Sequence, residues 1–288
     1  MTHSPQRTGI IGGSGLYDID DIELIEHLDI DTPFGKPSDT LMLAKIHDHE
    51  VVFLPRHGRG HRIPPHNINY RANIYAMKLA GVQRIISISA VGSLCEDIAP
   101  GDFVLVDQFV DRTHSRASSF FDGPVVAHVS MADPVCSPLK SELAAACKQA
   151  HILTHQQGTY LVMQGPQFSS RAESELYRQW GMDVIGMTNL PEAKLAREAE
   201  ICYATVAMST DYDCWHEDED DVSVASIISV MQGNVAKAQH MLQCFFSAAS
   251  NPAHCNCQHA LEAGIFADLK AQDDDAIRPI HALVERFL

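Results

Sequence analysis

The chain has 288 residues, of which 45% are hydrophobic, and its formal net charge at pH 7 is -16. A chain of this length and apolar content can bury the core of one large α/β domain or of two small ones. The negative charge argues against a nucleic acid or an anionic membrane surface as a partner, so an anionic ligand needs a local pocket.

Neither a signal peptide nor a membrane-spanning segment is predicted. The first residues lack the basic-then-apolar pattern of a secretory signal, and no run approaches the ~20 apolar residues that cross a bilayer. We therefore expect a cytoplasmic protein whose partners are small molecules, with no nucleic acid and no membrane.

Strand-like and helical patterns alternate along the chain, which favours a central sheet covered by helices. Strand-like runs lie at 9–11, 51–54, 84–89, 103–106, 159–163, 183–186 and 201–208, and helical patterns lie at 69–80, 138–150, 170–180, 191–199 and 224–245. The last helix is the clearest, because its apolar residues recur at spacings of three and four, and Ser223 is a natural N-cap.

The first candidate anion site is the turn at 12–15, Gly-Gly-Ser-Gly, which directly follows the apolar strand at 9–11. Glycines let backbone amides approach an anion closely. The turn is not a dinucleotide-binding fingerprint, because Asp18 stands where the third glycine would be, and the P-loop lysine is absent as well. On its own, the segment fits an ordinary strand-to-loop turn equally well.

Two further strands end in groups that suit an anion. The run at 51–58 delivers Arg56 and His57 at its end, and the planar fork of an arginine matches phosphate. The run at 84–93 ends in a turn of glycine and serine. Open α/β sheets bind ligands at the carboxyl ends of their strands, so three such ends together predict an anion site.

Three histidines in the second segment raise the question of a zinc site: His57, His61 and His66. Pro64 and Pro65 argue against a regular helix that would hold the last two, and no H-E-x-x-H pattern is present. We therefore predict no metal site, and a zinc-dependent hydrolase is a minor alternative.

The most informative segment is 205–215, where Asp211 and Asp213 close an apolar strand. In extended backbone, alternate side chains share one face, so both acids can address one flat ligand edge. A purine with a 6-amino group offers such an edge, since a protonated carboxyl donates to ring N7 and an ionised one accepts from the amine. The alternative is a polar turn that only closes a strand.

Eight cysteines are scattered along the chain, and in a cytosolic protein most are expected to be reduced core residues. Cys255 and Cys257 differ, because they lie between His254 and His259 in a polar tail. A disulfide or redox role, a metal site and a plain core position all remain open for this pair.

The tail at 251–288 has apolar positions of its own, namely Ile277, Ile280, Leu283, Val284 and Leu288. A terminal helix would use these residues to dock on the body of the chain or on a neighbouring subunit. The pattern does not choose between the two.

Six blocks of sequence resemble the trimeric purine nucleoside phosphorylase family, and within it the 5'-methylthioadenosine phosphorylases. They are GIIGGSGLYDI, FLPRHGRGHRIPPHNINYRANI, SAVGSL, QGPQFSSRAES, GMTNLPEAKLAREA and STDYDCW, in this order. The resemblance as a whole runs from about Thr8 to about Cys244. The resemblance implies a single α/β domain over residues 1–288, with a central mixed, partly barrel-like β-sheet flanked by helices. It also implies a homotrimer or a dimer of trimers.

The implied reaction is the reversible phosphorolysis of 5'-methylthioadenosine to adenine and 5-methylthioribose 1-phosphate, with inorganic phosphate as co-substrate and no cofactor. Asp211 would protonate N7 of the departing base, and Asp213 would accept from the 6-amino group. A free aspartate has a pKa near ~3.9, so the donor needs a large upward shift, which burial and a neighbouring carboxylate both favour.

The resemblance also implies the remaining site residues. Phosphate would be bound by Ser14, Arg56, His57, Ser89, Ala90 and Thr188. The nucleoside would be bound by Phe168 on the purine face, Met187 at the ribose, Tyr212 beside the two acids, and His128 from the neighbouring subunit. Ser169 and Val224 would bear on substrate choice, Val224 as part of an apolar niche for the methylthio group.

Two rival functions stay open. A phosphorylase for 6-oxopurine nucleosides, inosine or guanosine, would prefer an amide at the purine edge, and Asn189 keeps that alternative alive. A nucleoside-binding sensor without catalysis is the second, but a pure binder would not need Arg56 and His57.

Overall fold

The computed structural model describes residues 7–13, 15–16, 22–216, 224–248 and 255–288, and for residues 224–227 it describes the backbone alone. Eleven strands and seven α-helices occur in these ranges. The strands are β1 (Arg7–Gly12), β2 (Glu23–Leu28), β3 (Leu41–Ile46), β4 (His49–Pro55), β5 (Val82–Ser93), β6 (Phe103–Leu105), β7 (Gln108–Arg112), β8 (Thr154–His155), β9 (Thr159–Met163), β10 (Val184–Gly186) and β11 (Cys202–Tyr212). The helices are α1 (Tyr70–Leu79), α2 (Ser137–Gln149), α3 (Arg171–Gln179), α4 (Asn189–Glu198), α5 (Val224–Ser247), α6 (Asp274–Ile277) and α7 (His281–Val284).

The strands form one mixed sheet, with the order β2-β3-β4-β1-β5-β10-β9-β7 along its main path. β1 pairs in parallel with both β4 and β5, and β5 pairs in parallel with β11. Because parallel strands point the same way, β1, β4, β5 and β11 all end at one edge of the sheet. This edge is where the three candidate anion segments and the two acids meet.

The sheet branches at β5, the longest strand. Gly92 and Ser93 at its end pair antiparallel with β10, β1 pairs with the first half of the strand, and β11 pairs with it from Arg84 to Ser93. One arm continues through β9 to β7, and the other runs through β6 to β8. Among the described strands the sheet does not close into a barrel, and the predicted class of a single α/β domain with a mixed sheet and flanking helices is confirmed.

Helices cover both faces of the sheet. Ile11 packs into a core cluster with α1 and α4, and its neighbour Ile10 packs into a second cluster with α2 and α5. Strands buried on both faces read as continuous apolar runs rather than as alternating ones. This explains why β1, β4, β5 and β11 are recognisable in the sequence.

Four strands have no counterpart among the sequence predictions: β2, β3, β7 and β8. β2 is exposed along most of its length and β8 has two residues, so neither carries an apolar pattern. The five predicted helices are all present, and their ends agree to within two residues. The predicted N-cap Ser223 lies outside the described residues.

The tail packs on the body of its own chain. Ile277, Ile280, Leu283 and Val284 are buried in the cluster that also contains α1 and α4, whereas Leu288 is 46% exposed. The single terminal helix expected here is a series of short helical turns that includes α6 and α7. None of the helices in the described ranges is both long enough and apolar enough to traverse a bilayer.

We predict that Leu283→Ala destabilises the protein by about 2–5 kcal/mol, because it leaves a cavity at a buried leucine. Leu283 is 3% exposed, and the free energy of unfolding can be measured by urea denaturation. Leu288→Ala is the matched control, with an expected change below about 0.5 kcal/mol. Equal effects of the two substitutions would show that the tail does not pack on the body in this way.

Candidate active site

A cavity of about 890 Å³ opens at the edge where β1, β4, β5 and β11 end. Its size is typical of a pocket for a small organic ligand. The walls include both acids and most of the predicted anion-binding residues: Arg56, His57, Ser89, Ala90, Phe168, Met187, Thr188, Asp211, Tyr212 and Asp213. The cavity therefore brings residues from five separate stretches of the chain together.

A buried ion pair supports one end of the cavity, where Arg56 is part of the wall. Nε and Nη2 of Arg56 donate to the two carboxylate oxygens of Glu192 over 2.8 and 3.0 Å. Burial by itself lowers the pKa of Arg56, but the Glu192 carboxylate outweighs it and raises that pKa above its usual value. The guanidinium is therefore a permanent cation held in a fixed orientation.

The other hydrogen bonds of Arg56 leave one of its N–H groups for a ligand. Its Nη2 also lies 2.6 Å from the Ser87 hydroxyl, and its Nη1 donates to the carbonyl of Ile88 over 3.0 Å. A guanidinium has five N–H groups, and Nη1 carries two of them. The second N–H of Nη1 is thus the one that suits a ligand in the cavity, where Arg56 is part of the wall.

His57 follows Arg56 and is neutral near pH 7. Its Nδ1 donates to the carbonyl of Ile63 over 2.9 Å, which leaves Nε2 as an acceptor. Burial lowers the pKa of His57 to about 4, and the nearby Arg56 cation acts in the same direction. A neutral imidazole of this tautomer suits a ligand that still carries a hydroxyl hydrogen.

Hydroxyl groups complete this end of the cavity. Oγ of Ser89 lies 3.4 Å from Oγ1 of Thr188 and 3.1 Å from the hydroxyl of Tyr160. Ala90 follows on β5 and is exposed to the cavity. Hydroxyls beside an arginine are donors for an oxyanion, so this end is built for an anion of phosphate size.

The two acids lie together at the end of β11. An irregularity in the pairing with β5 falls between Ser209 and Asp211, so the register there shifts by one residue. A Cβ atom added to Gly92 would lie 3.3 Å from Oδ2 of Asp211 and 3.5 Å from Cβ of Asp213. Both acids therefore border the same small residue of β5, as expected for alternate positions in extended backbone.

The environments of the two carboxyls differ. Asp213 is buried, and its Oδ2 has no hydrogen-bond partner among the described residues. Burial raises the pKa of Asp213 above its usual value. Oδ1 of Asp211 lies 2.6 Å from the hydroxyl of Thr210, which is also 3.1 Å from the carbonyl of Val91.

Aromatic and apolar side chains form the remaining walls. Phe168 stands at the mouth and is 79% exposed, so its ring is free to cover a flat ligand. Met187 also lines the cavity. The ring of Tyr212 stacks on His216 with centroids 4.6 Å apart, and both residues border the cavity.

Two predicted site residues in the described part of the chain, Ser169 and His128, do not line the cavity. Ser169 is adjacent, since its hydroxyl contacts Sδ of Met163, which does line it. His128 is exposed elsewhere and its ring packs edge-on against Phe266. Ser14 lies outside the described residues, and of Val224 only the backbone is described, at the start of α5.

The sequence analysis missed the residues that support the site. Glu192 lies within one of the resembling blocks, but an acid beside a phosphate site gives no pattern that would predict its role. Arg116 donates to the carbonyls of Gln164, Met187 and Leu190 over 2.7–2.8 Å, which fixes the segment that carries Thr188. The sequence around Arg116 has neither periodicity nor a motif that would predict this role.

The side chain of Asn189, the residue that kept the 6-oxopurine alternative open, is hydrogen-bonded within the core. Its Nδ2 lies 2.6 Å from the hydroxyls of Tyr203 and Thr205 and 3.2 Å from that of Ser87. The side chain is fully buried and does not border the cavity. The amide is therefore not presented to a ligand.

The predicted histidines do not form a metal site in the described part of the chain. The rings of His57 and His61 stack with centroids 4.2 Å apart, and His66 does not join them in a ligand set. In the same ranges, the one group with suitable geometry is Cys136, Cys202, Cys255 and Cys257, and none of these borders the cavity.

Residues 7–247 match the family model of the phosphorylase superfamily. The match covers most of the chain, and it includes every strand and the helices α1 to α5. The chain belongs to this superfamily.

Within that class, the chain is similar to proteins named S-methyl-5'-thioadenosine phosphorylase. It is 52% identical to the one from Geobacter sulfurreducens over 92% of this chain and 93% of the relative, and 50% identical to that from Bradyrhizobium diazoefficiens over 97% of each. The resemblance noted in the sequence is thus confirmed.

Solved structures agree with the sequence relatives. A methylthioadenosine phosphorylase from an antarctic soil metagenomic library superimposes with a TM-score of 0.93 at 44% identity, over 97% of this chain and 99% of that one. The Schistosoma mansoni methylthioadenosine phosphorylase in complex with adenine gives a TM-score of 0.80 at 35% identity, over 98% of both chains.

We predict that Glu192→Gln lowers the free energy of unfolding by about 3–5 kcal/mol, because it leaves the buried Arg56 cation without a counter-charge. Glu262→Gln is the control, since Glu262 pairs with Arg286 at the surface, where solvent screening leaves an ion pair little effect on stability. Urea denaturation measures both. If Glu192→Gln is no worse than the control, the buried pair is not a supporting element of the site.

Proposed function

We propose that this chain is an S-methyl-5'-thioadenosine phosphorylase, a pentosyltransferase that moves 5-methylthioribose between adenine and inorganic phosphate. The observation that supports this most is one cavity with a cationic, hydroxyl-rich end around Arg56 and a pair of carboxyls at Asp211 and Asp213. Inorganic phosphate is the co-substrate and no cofactor takes part. The reaction belongs to purine and methionine salvage.

Adenine is the base that the carboxyl pair favours. A protonated acid donates to N7 and an ionised one accepts from the 6-amino group, whereas O6 of hypoxanthine or guanine would be repelled by the second carboxylate. The hydrogen bonds of the Asn189 side chain within the core support the same choice, because they keep this amide from binding O6.

Asp211 delivers the proton in this proposal. The Thr210 hydroxyl has one hydrogen but two oxygens within reach, on Asp211 and on Val91. When that hydrogen goes to Val91, a protonated Asp211 can donate to Thr210 in the free pocket and to N7 when the nucleoside is bound. Asp213 is the acceptor from the 6-amino group in this proposal. Burial raises the pKa of Asp213 in the free pocket, so nucleoside binding has to place the shared proton of the pair on Asp211, and mutual repulsion keeps the pair from losing both protons.

At the other end, phosphate attacks C1' while the bond from C1' to N9 of the base breaks. Ser14, Arg56, Ser89, Thr188 and the amide of Ala90 bind the phosphate oxygens. Attack by HPO₄²⁻ gives a sugar phosphate that still carries one hydroxyl hydrogen. The free Nε2 of His57 is positioned to accept a hydrogen bond from that hydroxyl, and because the pKa of His57 is lowered to about 4, the proton itself passes to solvent. One proton thus enters the base as another leaves the phosphate.

Between the two ends, Met187 covers the ribose and Phe168 covers the purine face. Both exclude water around the cation-like sugar of the transition state, where charge would otherwise be screened. Ser169 and Val224 border the 5' substituent. An apolar niche there suits a methylthio group, whereas a 5'-hydroxyl would lose a hydrogen bond.

His128 belongs to a neighbouring subunit's pocket in this proposal, which is supported by its exposed position away from the cavity of its own chain. The active enzyme is then a cytoplasmic homotrimer or a dimer of trimers. The whole chain, with its tail at 251–288, forms one domain within each subunit.

The function is tested by measuring adenine release from 5'-methylthioadenosine with and without phosphate, beside hypoxanthine release from inosine. We expect phosphate-dependent cleavage of methylthioadenosine, with a kcat/KM at least about 100-fold above that for inosine. The reason is that O6 of inosine cannot donate a hydrogen bond to the ionised carboxylate, which is then repelled or left unpaired. A higher kcat/KM for inosine would contradict the proposed substrate. Binding without turnover would support a sensor instead.

We predict that Asp211→Asn lowers kcat by about 10²–10⁴-fold while KM for the nucleoside changes by less than about tenfold, because an amide can donate to N7 but cannot transfer a proton. Steady-state kinetics at saturating phosphate measure both constants. Asp97→Asn, an exposed position outside the cavity, should leave both unchanged. An equal loss in kcat and in affinity would reduce Asp211 to a binding contact.

A further inference from the structure

Four cysteines from three distant stretches of the chain converge on one point. Cys136 precedes α2, Cys202 begins β11, and Cys255 and Cys257 lie in the tail around the short helical turn Asn256–His259. Their four sulfur atoms all lie within 4.8 Å of one another. Three of the side chains are buried and Cys255 is half-buried.

We propose that these four thiolates bind one structural Zn²⁺ ion. Tetrahedral zinc with Zn–S bonds of about 2.3 Å separates its sulfurs by about 3.8 Å. The sulfurs of Cys202 and Cys255 are 3.1 Å apart, and no pair exceeds 4.8 Å. The ideal edge of the tetrahedron lies within this range, so shifts of about 1 Å would complete the site.

The two ligands from the body of the chain are held together by the backbone. The amide of Cys136 donates to the carbonyl of Tyr203 over 2.8 Å, which keeps Cys136 beside Cys202. Cys136 also sits at the N-terminus of the 13-residue helix α2, where the helix dipole favours negative charge. A zinc tetrathiolate carries a net charge of about -2, so this location is favourable.

The tail supplies the other two ligands with the C-x-C spacing. The pair needs only local adjustment to close the coordination shell, and closed four-ligand shells are typical of structural zinc rather than of catalytic zinc. None of the four residues borders the large cavity. The ion would therefore crosslink the tail to the body without taking part in the reaction.

Reduced core cysteines that bind no metal and form no disulfide explain these contacts less well. A small apolar side chain needs no other sulfur beside it, yet four of the eight cysteines of the chain gather here. Two disulfides are the more serious rival, because each sulfur has others in reach. They require pairwise contacts of about 2.05 Å, however, and do not require all four sulfurs to converge.

The position of the site indicates what it stabilises. Beyond Cys257 the tail binds the segment that bears His128, since the amide of His128 donates to Gly264 over 2.8 Å and that of Phe266 donates to Val126 over 3.2 Å. Leu261 donates its amide to the Glu200 carboxylate over 2.9 Å. Anchoring the tail at its first residues thus restrains this whole layer.

The first test uses the wild-type chain, purified with a thiol reductant and without a chelator. We expect elemental analysis to find about one zinc per chain, and thiol titration in denaturant with a chelator to find all eight cysteines reduced. Four missing thiols would mean two disulfides and would overturn the proposal. So would a fully reduced chain that binds no zinc when Zn²⁺ is added.

The second test assigns the ligands. Cys255→Ser and Cys257→Ser should each lower zinc content and lower Tm, whereas Cys95→Ser, which changes a half-buried cysteine outside the cluster, should alter neither. Replacement of zinc by Co²⁺ in the wild type should give the absorption of a tetrahedral cobalt thiolate, a readout that does not depend on any variant folding. Zinc that persists in both tail variants would contradict the assignment.

Discussion

The parallel pairing of β5 with β1 on one side and β11 on the other determines where every functional group lies. Because these strands run in the same direction, their ends deliver the glycine turn, the Ser89–Ala90 pair and the two acids to one edge. β4 pairs in parallel with β1 and adds Arg56 to the same edge. A single topological constraint thus converts residues far apart in the chain into one pocket.

The pocket joins two ends of opposite charge inside a strongly acidic chain. At one end Glu192 orients the Arg56 cation, so the attraction of this cation for an anion does not depend on the overall field of the protein. At the other end, burial raises the pKa of Asp213 above its usual value. Phosphorolysis requires a proton donor at one end and an anion at the other.

Sequence patterns predicted the strands that end at the site, because strands buried on both faces leave continuous apolar runs. They also predicted Asp211 and Asp213 as a pair, since alternation along a strand is a local property. They did not predict Glu192 or Arg116, whose roles arise from contacts across the fold. The cysteine cluster was equally inaccessible, because its members are separated by up to 121 positions between Cys136 and Cys257.

The central claim is that one proton remains on the Asp211–Asp213 pair at neutral pH. The most direct measurement is an NMR titration of ¹³C-labelled aspartate carboxyls, assigned by comparison with Asp211→Asn and Asp213→Asn. We expect one carboxyl of the pair to stay protonated at about pH 7, well above the ordinary aspartate pKa near ~3.9. If both carboxyls are ionised above about pH 5, the pair cannot protonate a leaving base and the account is wrong.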